Sequence, residues 1–172
     1  SWDRETRAYL WFGCAACTGL KVMAWRLILF VLAPKICLLD MAFLALAGGV
    51  GGARMAHGLS MVLPDEDLLI AGNIGDDFTH LGLRICPDLD TIMYTLAGVA
   101  NPETGWGVRD ETWNVVGAIE ALGGPTWFRL GDKDFATHLE RTRRLAAGEE
   151  LSGVTEALCQ KLGVRHRIIP AA

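Results

Sequence analysis

The chain has 172 residues, a formal net charge of -4 and a sequence pI of about 5.5. Hydrophobic residues make up 51% of it and charged residues 21%, a composition that supports a buried core and argues against intrinsic disorder. The negative charge argues against a protein that binds nucleic acid irrespective of sequence, since such binding needs a basic surface to replace phosphate counterions. The five cysteines are odd in number and irregularly spaced, so we expect no disulfide framework and a cytoplasmic protein with reduced thiols.

Residues 1–40 differ in composition from the rest of the chain. They contain three of the six Trp and three of the five Cys, but only two of the twenty Gly. Their longest uninterrupted apolar run, residues 27–34, is far shorter than the ~20 residues of a membrane-spanning helix, so we expect no membrane association. The sequence changes character at Met41. We therefore interpret residues 1–40 as an extension of doubtful origin and Met41 as the natural start.

From Met41 onward, short apolar runs alternate with segments that have helical character. The pattern predicts strands at residues 42–47, 68–71, 126–130 and 164–169, and helices at residues 53–62, 89–97, 112–122, 135–147 and 154–162. Asp88 is predicted to cap the second helix. The alternation predicts an α/β fold with a Rossmann-like parallel sheet flanked by helices. In such sheets, ligands bind beyond the carboxyl ends of the strands.

A cluster of glycines follows the first predicted strand. It consists of Gly48, Gly49, Gly51 and Gly52, with Arg54 close behind. Such a turn can bring backbone N–H groups and the start of a helix up to a phosphate. It matches neither a Walker A loop nor the dinucleotide fingerprint, whose third glycine position is occupied by Arg54. The alternative is a tight turn that needs glycine only for its backbone conformation.

Acidic residues occur in three pairs near the predicted strand ends and helix starts. The pairs are Asp76 with Asp77, Asp88 with Asp90, and Asp132 with Asp134. We expect them to gather at one edge of the sheet, where carboxylates together with substrate phosphates would suit Mg²⁺. The alternative is that each aspartate is an ordinary cap or turn residue.

Basic residues lie near the third acidic pair. Arg129 and Lys133 flank the turn after the third predicted strand, and Thr137, Arg141 and Arg144 share one face of the following helix. These cations could hold a diphosphate, although a solvated helix face is the preferred interpretation for Arg144. None of the four histidines has metal-ligand spacing, and a plain polar role is expected for the two nearest the site, His80 and His138.

Several segments resemble the 2-phospho-L-lactate transferase family both in amino-acid sequence and in their order along the chain. The matching segments are LAGGVGGAR at residues 46–54, NIGDDF at 73–78, HLGLRICPDLDT at 80–91, YTLAG at 94–98, GWG at 105–107, ETWN at 111–114 and WFRLGDKD at 127–134. The resemblance runs from Met41 to Pro170. Because the family continues beyond that point, it implies that residues 41–172 are the N-terminal portion of the transferase domain and that the C-terminal part of the domain is missing.

The resemblance also implies a reaction in the biosynthesis of coenzyme F-420. The acceptor would be the deazaflavin Fo, and the donor a lactyl- or enolpyruvyl-diphosphoguanosine. The terminal ribityl hydroxyl of Fo would attack the phosphorus that carries the acid, GMP would leave and Mg²⁺ would assist, giving F-420-0 or its dehydro form. Family members are usually homodimers.

Roles carry over to this sequence by motif. Asp90 and Arg129 match positions that bind Fo in the family, and the donor phosphates would lie against Gly48, Gly49, Gly51, Gly52, Arg54 and Lys133. The candidate metal ligands are Asp76, Asp77 and Asp88, of which Asp76 and Asp77 are also the candidate catalytic carboxylates.

Three other interpretations remain open. One is a related regulator that binds a nucleotide sugar, in the gluconeogenesis-factor family, and another is a dinucleotide-binding oxidoreductase. The third is an inactive fragment, because missing strands would leave an unpaired sheet edge and half a site.

Overall fold

The predicted α/β fold is confirmed in a computed structural model that describes residues 43–171. A parallel sheet contains strands β1 (Phe43–Ala47), β2 (Leu68–Asn73) and β5 (Arg167–Ala171), and an antiparallel hairpin contains β3 (Phe78–His80) and β4 (Leu83–Ile85). The helices are α1 (Gly49–Ser60), α2 (Pro87–Leu96), α3 (Asn114–Ala121), α4 (Asp132–Ala146) and α5 (Leu151–Lys161). The proposed extension and the proposed start at Met41 lie outside the described residues. None of the helices described is long and apolar enough to cross a membrane.

Strand β2 lies in the middle of the parallel sheet, between β1 and β5. The carboxyl ends of β1 and β2 are in register, since Ala47 pairs with Gly72. This register brings the turn after β1 and the turn after β2 to the same edge of the sheet. The candidate site is built at that edge.

Helices α1 and α2 pack closely on one face of this sheet. A Cβ added to Gly52 would lie 2.9 Å from Cα of Ala47, and one added to Gly72 would lie 2.6 Å from Cδ2 of Leu89. Only glycine therefore permits the observed approach of helix to strand. On the opposite face of β1, Leu44 and Leu46 remain 60% and 71% exposed.

The hairpin β3–β4 lies between the strand predicted at residues 68–71 and the helix predicted at 89–97, where the sequence predicts no element. Its two-residue turn contains Leu81 at φ 52° and Gly82 at φ 75°. Two positive φ angles are characteristic of a type I′ turn, for which Asn-Gly or Asp-Gly is the usual sequence. Because leucine occupies the first of the two positions, the sequence does not indicate this turn. The hairpin buries Leu83 and Ile85 against Leu130 in a core separate from that of the parallel sheet.

The strand predicted at residues 126–130 is wrong. This segment is irregular, and its aromatic residues pack on the hairpin instead of pairing with a strand. The Phe128 ring lies 5.0 Å from that of Phe78 in an edge-to-face arrangement, and Trp127 lies 5.0 Å from His80. Apolar composition alone cannot distinguish a strand from a segment that buries its side chains in this way.

Several element boundaries also differ from the predictions. Pro87 is the first residue of α2, a position proline favours, so Cys86 and not Asp88 occupies the N-cap. Strand β5 begins at Arg167 and not at residue 164, because the N–H of Val164 bonds back to the Cys159 carbonyl after α5 ends. Helix α4 begins three residues earlier than predicted, at Asp132.

Candidate functional site

A polar cluster joins three turns at the carboxyl edge of the sheet. The backbone N–H of Gly49 donates to Oδ1 of Asp88 at 2.7 Å. Nδ2 of Asn73 donates to Oδ2 of Asp88 at 2.7 Å and to Oδ2 of Asp76 at 3.1 Å. The N–H of Gly75 in turn donates to Oδ1 of Asn73 at 3.0 Å. Asn73, at the end of β2, therefore connects the two carboxylates, and Asp88 connects them to the glycine turn.

The four glycines of the turn have different structural roles. Gly49 has φ 58°, and a Cβ at Gly48 would lie 3.2 Å from Oδ2 of Asp88, so both accommodate that carboxylate. Gly52 permits the close packing on β1 described above. A Cβ at Gly51 would meet nothing within 4 Å, which leaves the first turn of α1 open to an incoming group. Arg54 is exposed one turn further along the helix.

Asp88 and Asp76 are suited to hold a magnesium ion. A carboxylate has about four lone-pair positions, of which the contacts above occupy two on Asp88 and one on Asp76. Carboxylate oxygens are ligands that Mg²⁺ prefers, and it commonly completes its shell with waters and substrate phosphates. Asp88 is buried and Asp76 exposed, so an ion shared by the two would remain accessible from solvent.

Asp77 is turned away from this pair. Its Oδ2 accepts from Nη2 of Arg84 at 3.1 Å, its side chain is only 2% exposed, and its Oδ1 is buried without a hydrogen-bond partner. The neighbouring Cys86 thiol has its pKa raised to about 12, mainly by burial, although the charge of Arg141 opposes the rise, and Asp77 contributes to it. The structure therefore does not bring the expected metal ligands Asp76, Asp77 and Asp88 together, because Asp77 is buried and paired with Arg84.

The third acidic pair does not join the cluster either. Asp132 caps α3: its carboxylate accepts from Oγ1 of Thr112 at 2.6 Å and from the backbone N–H groups of Asn114 and Val115 at 3.1 and 3.0 Å. These hydrogen bonds, that of Thr112 foremost, lower the pKa of Asp132 to about 2. The expectation that all three pairs gather at one edge is wrong for Asp132, and capping is its observed role.

Glu111 caps the start of α4, and Lys133 binds the backbone next to Glu111. The Glu111 carboxylate accepts from the backbone N–H groups of Lys133 and Asp134, both at 2.8 Å. Nζ of Lys133 donates to the carbonyls of Arg109 and Asp110 at 2.9 and 2.8 Å. Lys133 was predicted to bind phosphate, but its ammonium group contacts the carbonyls of Arg109 and Asp110 instead.

Asp90 lies in a second, buried cluster between α2 and α4. Two N–H groups of Arg141 donate to its two oxygens, with Nη1 3.0 Å from Oδ2. Nδ1 of His138 lies 3.1 Å from Nη1 of Arg141, and its Nε2 lies 3.3 Å from Oδ1 of Asp134. The Tyr94 hydroxyl also donates to this Oδ1, at 2.8 Å. Arg141 therefore faces inward, whereas Arg144 on the same predicted face pairs with Glu149 at the surface.

Three groups in this cluster have shifted pKa values. Burial raises the pKa of Asp134, but its contact with His138, the hydrogen bond from Tyr94 and the charge of Arg141 outweigh burial, so the pKa is lowered. Burial and the neighbouring carboxylates raise the pKa of Tyr94. The attraction of Asp90 outweighs burial and raises the pKa of Arg141. Near neutral pH, Asp134 is therefore an anion, Arg141 a cation and Tyr94 neutral.

Asp90 and Asp134 face a cavity of about 150 Å³ whose walls are largely aromatic. Its lining includes Tyr94, Trp106, Phe128 and His138. A second cavity of about 70 Å³ adjoins it, because Trp106, Gly107 and Asp134 line both. A flat aromatic ligand with hydrogen-bond donors suits such a surface, since its ring packs on aromatic walls and its donors meet carboxylates.

Arg129 lies at the far end of the same series of cavities. Trp113 lines both the second cavity and a third of about 380 Å³, which Arg129 also lines. The Arg129 guanidinium carbon lies 4.5 Å from the centre of the Trp113 ring, a cation–π contact. Asp90 and Arg129, the two residues expected to bind Fo, therefore lie in different cavities, and Trp106 and Trp113 are the aromatic residues shared between neighbouring cavities of the series.

Sequence reasoning missed several residues that organise the site. Asn73 and Glu111 both stand in the segments that carry the family resemblance, but neither was assigned a role. Asp134, His138 and Arg141 are spaced i, i+4 and i+7 on α4, a spacing that places them on one face. That stripe of three polar residues was the available signal. The sequence instead suggested magnesium binding for the pair that contains Asp134, diphosphate binding for Arg141 and a plain polar role for His138.

Comparison with known proteins gives a consistent result. Residues 43–172 match the family described as 2-phospho-L-lactate transferase CofD. The chain is 53% identical over 131 residues to a phosphoenolpyruvate transferase of Streptomyces griseus, covering 76% of this chain and 41% of that protein. It is 48% identical over 140 residues to a phosphoenolpyruvate transferase of Mycobacterium tuberculosis, covering 73% of this chain and 42% of that protein. The chain thus spans about two fifths of the length of these relatives.

Proposed function

Because the chain belongs to the 2-phospho-L-lactate transferase family, we propose that it forms part of a transferase of coenzyme F-420 biosynthesis. The enzyme moves a phosphorylated three-carbon acid group from a guanosine diphosphate ester to the terminal ribityl hydroxyl of Fo. The bond from phosphorus to the GMP oxygen breaks, the bond from phosphorus to the ribityl oxygen forms, and GMP leaves. The product is F-420-0 or dehydro-F-420-0.

One observation carries this proposal: Asp88 joins the start of α1 to Asn73 and Asp76, next to the cavity lined by Asp90, Trp106 and Phe128, which we call the aromatic groove. The first turn of α2 contacts both parts, since Asp88 contacts the glycine turn and Asp90 lines the groove. A group transfer needs a place for the diphosphate and a neighbouring place for the acceptor. The closeness of the two parts on one helix supports the proposal.

In this proposal the donor phosphates lie at the open first turn of α1, near Gly51. Asp76 and Asp88 would hold a magnesium ion, which would supply positive charge to the phosphates. Asp88 accepts a hydrogen bond from the Gly49 N–H and therefore occupies an amide that would otherwise bind a phosphate oxygen. With an ion bound, the Asp88 carboxylate and a phosphate could both lie at this helix end.

Fo binds in the aromatic groove. Its ring system packs against Trp106 and Phe128, and Asp90 accepts a hydrogen bond from it. Arg129 contacts its far end across Trp113. The base for the ribityl hydroxyl is Asp76 and not Asp77, since Asp76 is exposed while Arg84 neutralises the buried Asp77.

Among the possible donors, the phosphoenolpyruvyl ester is favoured. The relatives quoted above, at 53% and 48% identity to this chain, are named phosphoenolpyruvate transferases. We also propose that the enzyme is a cytoplasmic homodimer.

The proposal is tested by adding Fo, Mg²⁺ and each donor separately and measuring GMP release. A fluorescence titration with Fo measures the acceptor site alone, because the deazaflavin reports its environment. Saturable Fo binding that Asp90→Asn or Arg129→Ala removes is the expected result. Tight binding of a nucleotide sugar with no binding of Fo would instead indicate a regulator.

A further inference from the structure

The buried cluster on α4 shows how Asp90 is held. Arg141 approaches the Asp90 carboxylate with two N–H groups, the paired geometry that only arginine provides. Both residues are almost completely buried, at 1% and 4% exposure. A carboxylate held in this way cannot rotate freely, so its orientation toward the cavity is fixed by Arg141.

The contact between Arg141 and His138 defines the proton position on the imidazole. A guanidinium only donates hydrogen bonds, and Nη1 of Arg141 lies 3.1 Å from Nδ1 of His138. This contact is a hydrogen bond only when Nδ1 is the unprotonated acceptor; the other group facing Nδ1, Oδ2 of Asp90, is farther away at 3.6 Å. The ring proton then resides on Nε2, which lies 3.3 Å from Oδ1 of Asp134.

The same contact argues against a metal ion in this cluster. Asp90, Asp134 and His138 are the one group of three possible ligands that comes together in residues 43–171. However, the Arg141 cation occupies the position between Asp90 and His138, and a metal ion there would be repelled by it. The cluster is therefore a fixed chain of hydrogen bonds that runs from Asp134 through His138 and Arg141 to Asp90.

The chain of hydrogen bonds leaves carboxylate lone pairs free to accept hydrogen bonds from a ligand in the cavity. Each carboxylate oxygen has about two lone-pair positions, and Arg141 occupies one on each oxygen of Asp90. Asp90 and Asp134 line the cavity and Arg141 does not, so the cavity presents acceptor capacity. A ligand that brings N–H or O–H donors satisfies it.

We propose that Arg141 and His138 are positioning residues for Asp90: Arg141 sets the plane of the carboxylate, and His138 sets the position of Arg141. The inference rests on the proposed function, since Asp90 is the group that accepts a hydrogen bond from Fo. Neither Arg141 nor His138 needs to touch Fo. Their effect appears in Fo affinity and not in the chemical step.

The decisive variants preserve charge or shape. Arg141→Lys retains the cation but loses the paired geometry, and we expect Fo to bind roughly ten- to hundredfold more weakly, as for loss of one charge-assisted hydrogen bond. His138→Asn retains an acceptor near Nδ1, so it should bind Fo more tightly than His138→Leu. Where turnover is measurable, KM for Fo rises and kcat stays nearly constant. Arg143→Gln, on the exposed side of α4, is the matched control and leaves Fo binding unchanged.

A second measurement does not depend on Fo. Nitrogen-15 NMR of the histidine side chains, with His138 identified through His138→Asn, reports which ring nitrogen is protonated. The expected result is a proton on Nε2 and none on Nδ1. A proton on Nδ1 overturns the proposal even if every variant unfolds. Unchanged Fo affinity in a folded Arg141→Lys protein also overturns it. If the unaltered chain binds no Fo while His138 has the expected tautomer, the proposed function fails and the hydrogen-bond chain stands.

Discussion

The Asp88 carboxylate accepts a 2.7 Å hydrogen bond from the backbone N–H of Gly49, at the N-terminus of α1. This contact spans 39 residues of sequence and joins the first turn of α2 to the glycine turn. It explains why Asp88 is not the cap of its own helix, since its side chain caps another one. The proposed magnesium site depends on this relationship.

Removing the charge of Asp88 should therefore affect stability as well as function. In Asp88→Asn, the favourable interaction with the N-terminus of α1 is lost, and we expect a destabilisation of about 1 kcal/mol. Urea unfolding at neutral pH measures it. Asp110→Asn is the control, because Asp110 is exposed and has φ 53°, a conformation that asparagine tolerates. Equal unfolding midpoints for the two variants would contradict the capping role.

Two glycines of the turn should respond in opposite directions to the same substitution. Gly52→Ala places a methyl group 2.9 Å from the Ala47 backbone, and overpacking of this kind costs about 1–3 kcal/mol. Gly51→Ala meets nothing within 4 Å, and alanine favours a helix by about 0.5–1 kcal/mol over glycine. The difference in urea midpoint between the variants is the measurement. If Gly52→Ala were as stable as Gly51→Ala, the close packing of α1 on β1 would be refuted.

Asp132 should make stability depend on pH in the acid range. Its pKa in the folded protein is about 2, against an ordinary value of 3.8. A lowered pKa means that its contribution is complete above about pH 4 and disappears as the pH falls toward 2. The difference in urea midpoint between the unaltered chain and Asp132→Asn should therefore be largest near neutral pH and shrink between pH 4 and pH 2. A difference that stays constant over this window would show that Asp132 has no such role.

We expect substitution of Asp76 to affect function and substitution of Asp77 to affect stability. Asp76→Asn alters an exposed side chain, so it should leave stability nearly unchanged and strongly reduce magnesium-dependent GMP release. Asp77→Asn weakens a buried contact with Arg84, and we expect a loss of about 1–3 kcal/mol. Thermal unfolding and GMP release, measured on both variants, distinguish them. Loss of stability in Asp76→Asn with none in Asp77→Asn would reverse the assignment.

The parallel sheet and its neighbouring helices could be predicted because their signals are local. The apolar run ending at Ala47, the glycines after it and the run from Leu68 each define an element without reference to distant residues. The convergence of Gly49 and Asp88 also follows, since the topology alone brings those turns to one edge. The sequence was therefore most informative where a turn directly follows a strand.

The remaining errors arise where distant contacts decide the local structure. The segment around Trp127 has strand-like composition but packs on the hairpin, and Leu81 adopts a conformation that its residue type does not suggest. Asp77 and Asp132 look like site residues beside their neighbours, yet Arg84 and the start of α3 engage them. Such partners lie several residues or a whole helix away in the sequence. The direction of a side chain therefore cannot be predicted from the spacing of residues alone.

The most direct test of the magnesium site is calorimetric titration of GDP, which carries the same diphosphate as the donor, with and without Mg²⁺. The account predicts binding that requires Mg²⁺, is lost in Asp88→Asn and is weakened in Gly51→Ala, where the new methyl group obstructs the open turn. Arg143→Gln should bind as the unaltered chain does. Binding that is independent of Mg²⁺, or that Asp88→Asn leaves intact, would contradict the proposal that these two turns hold the donor phosphates.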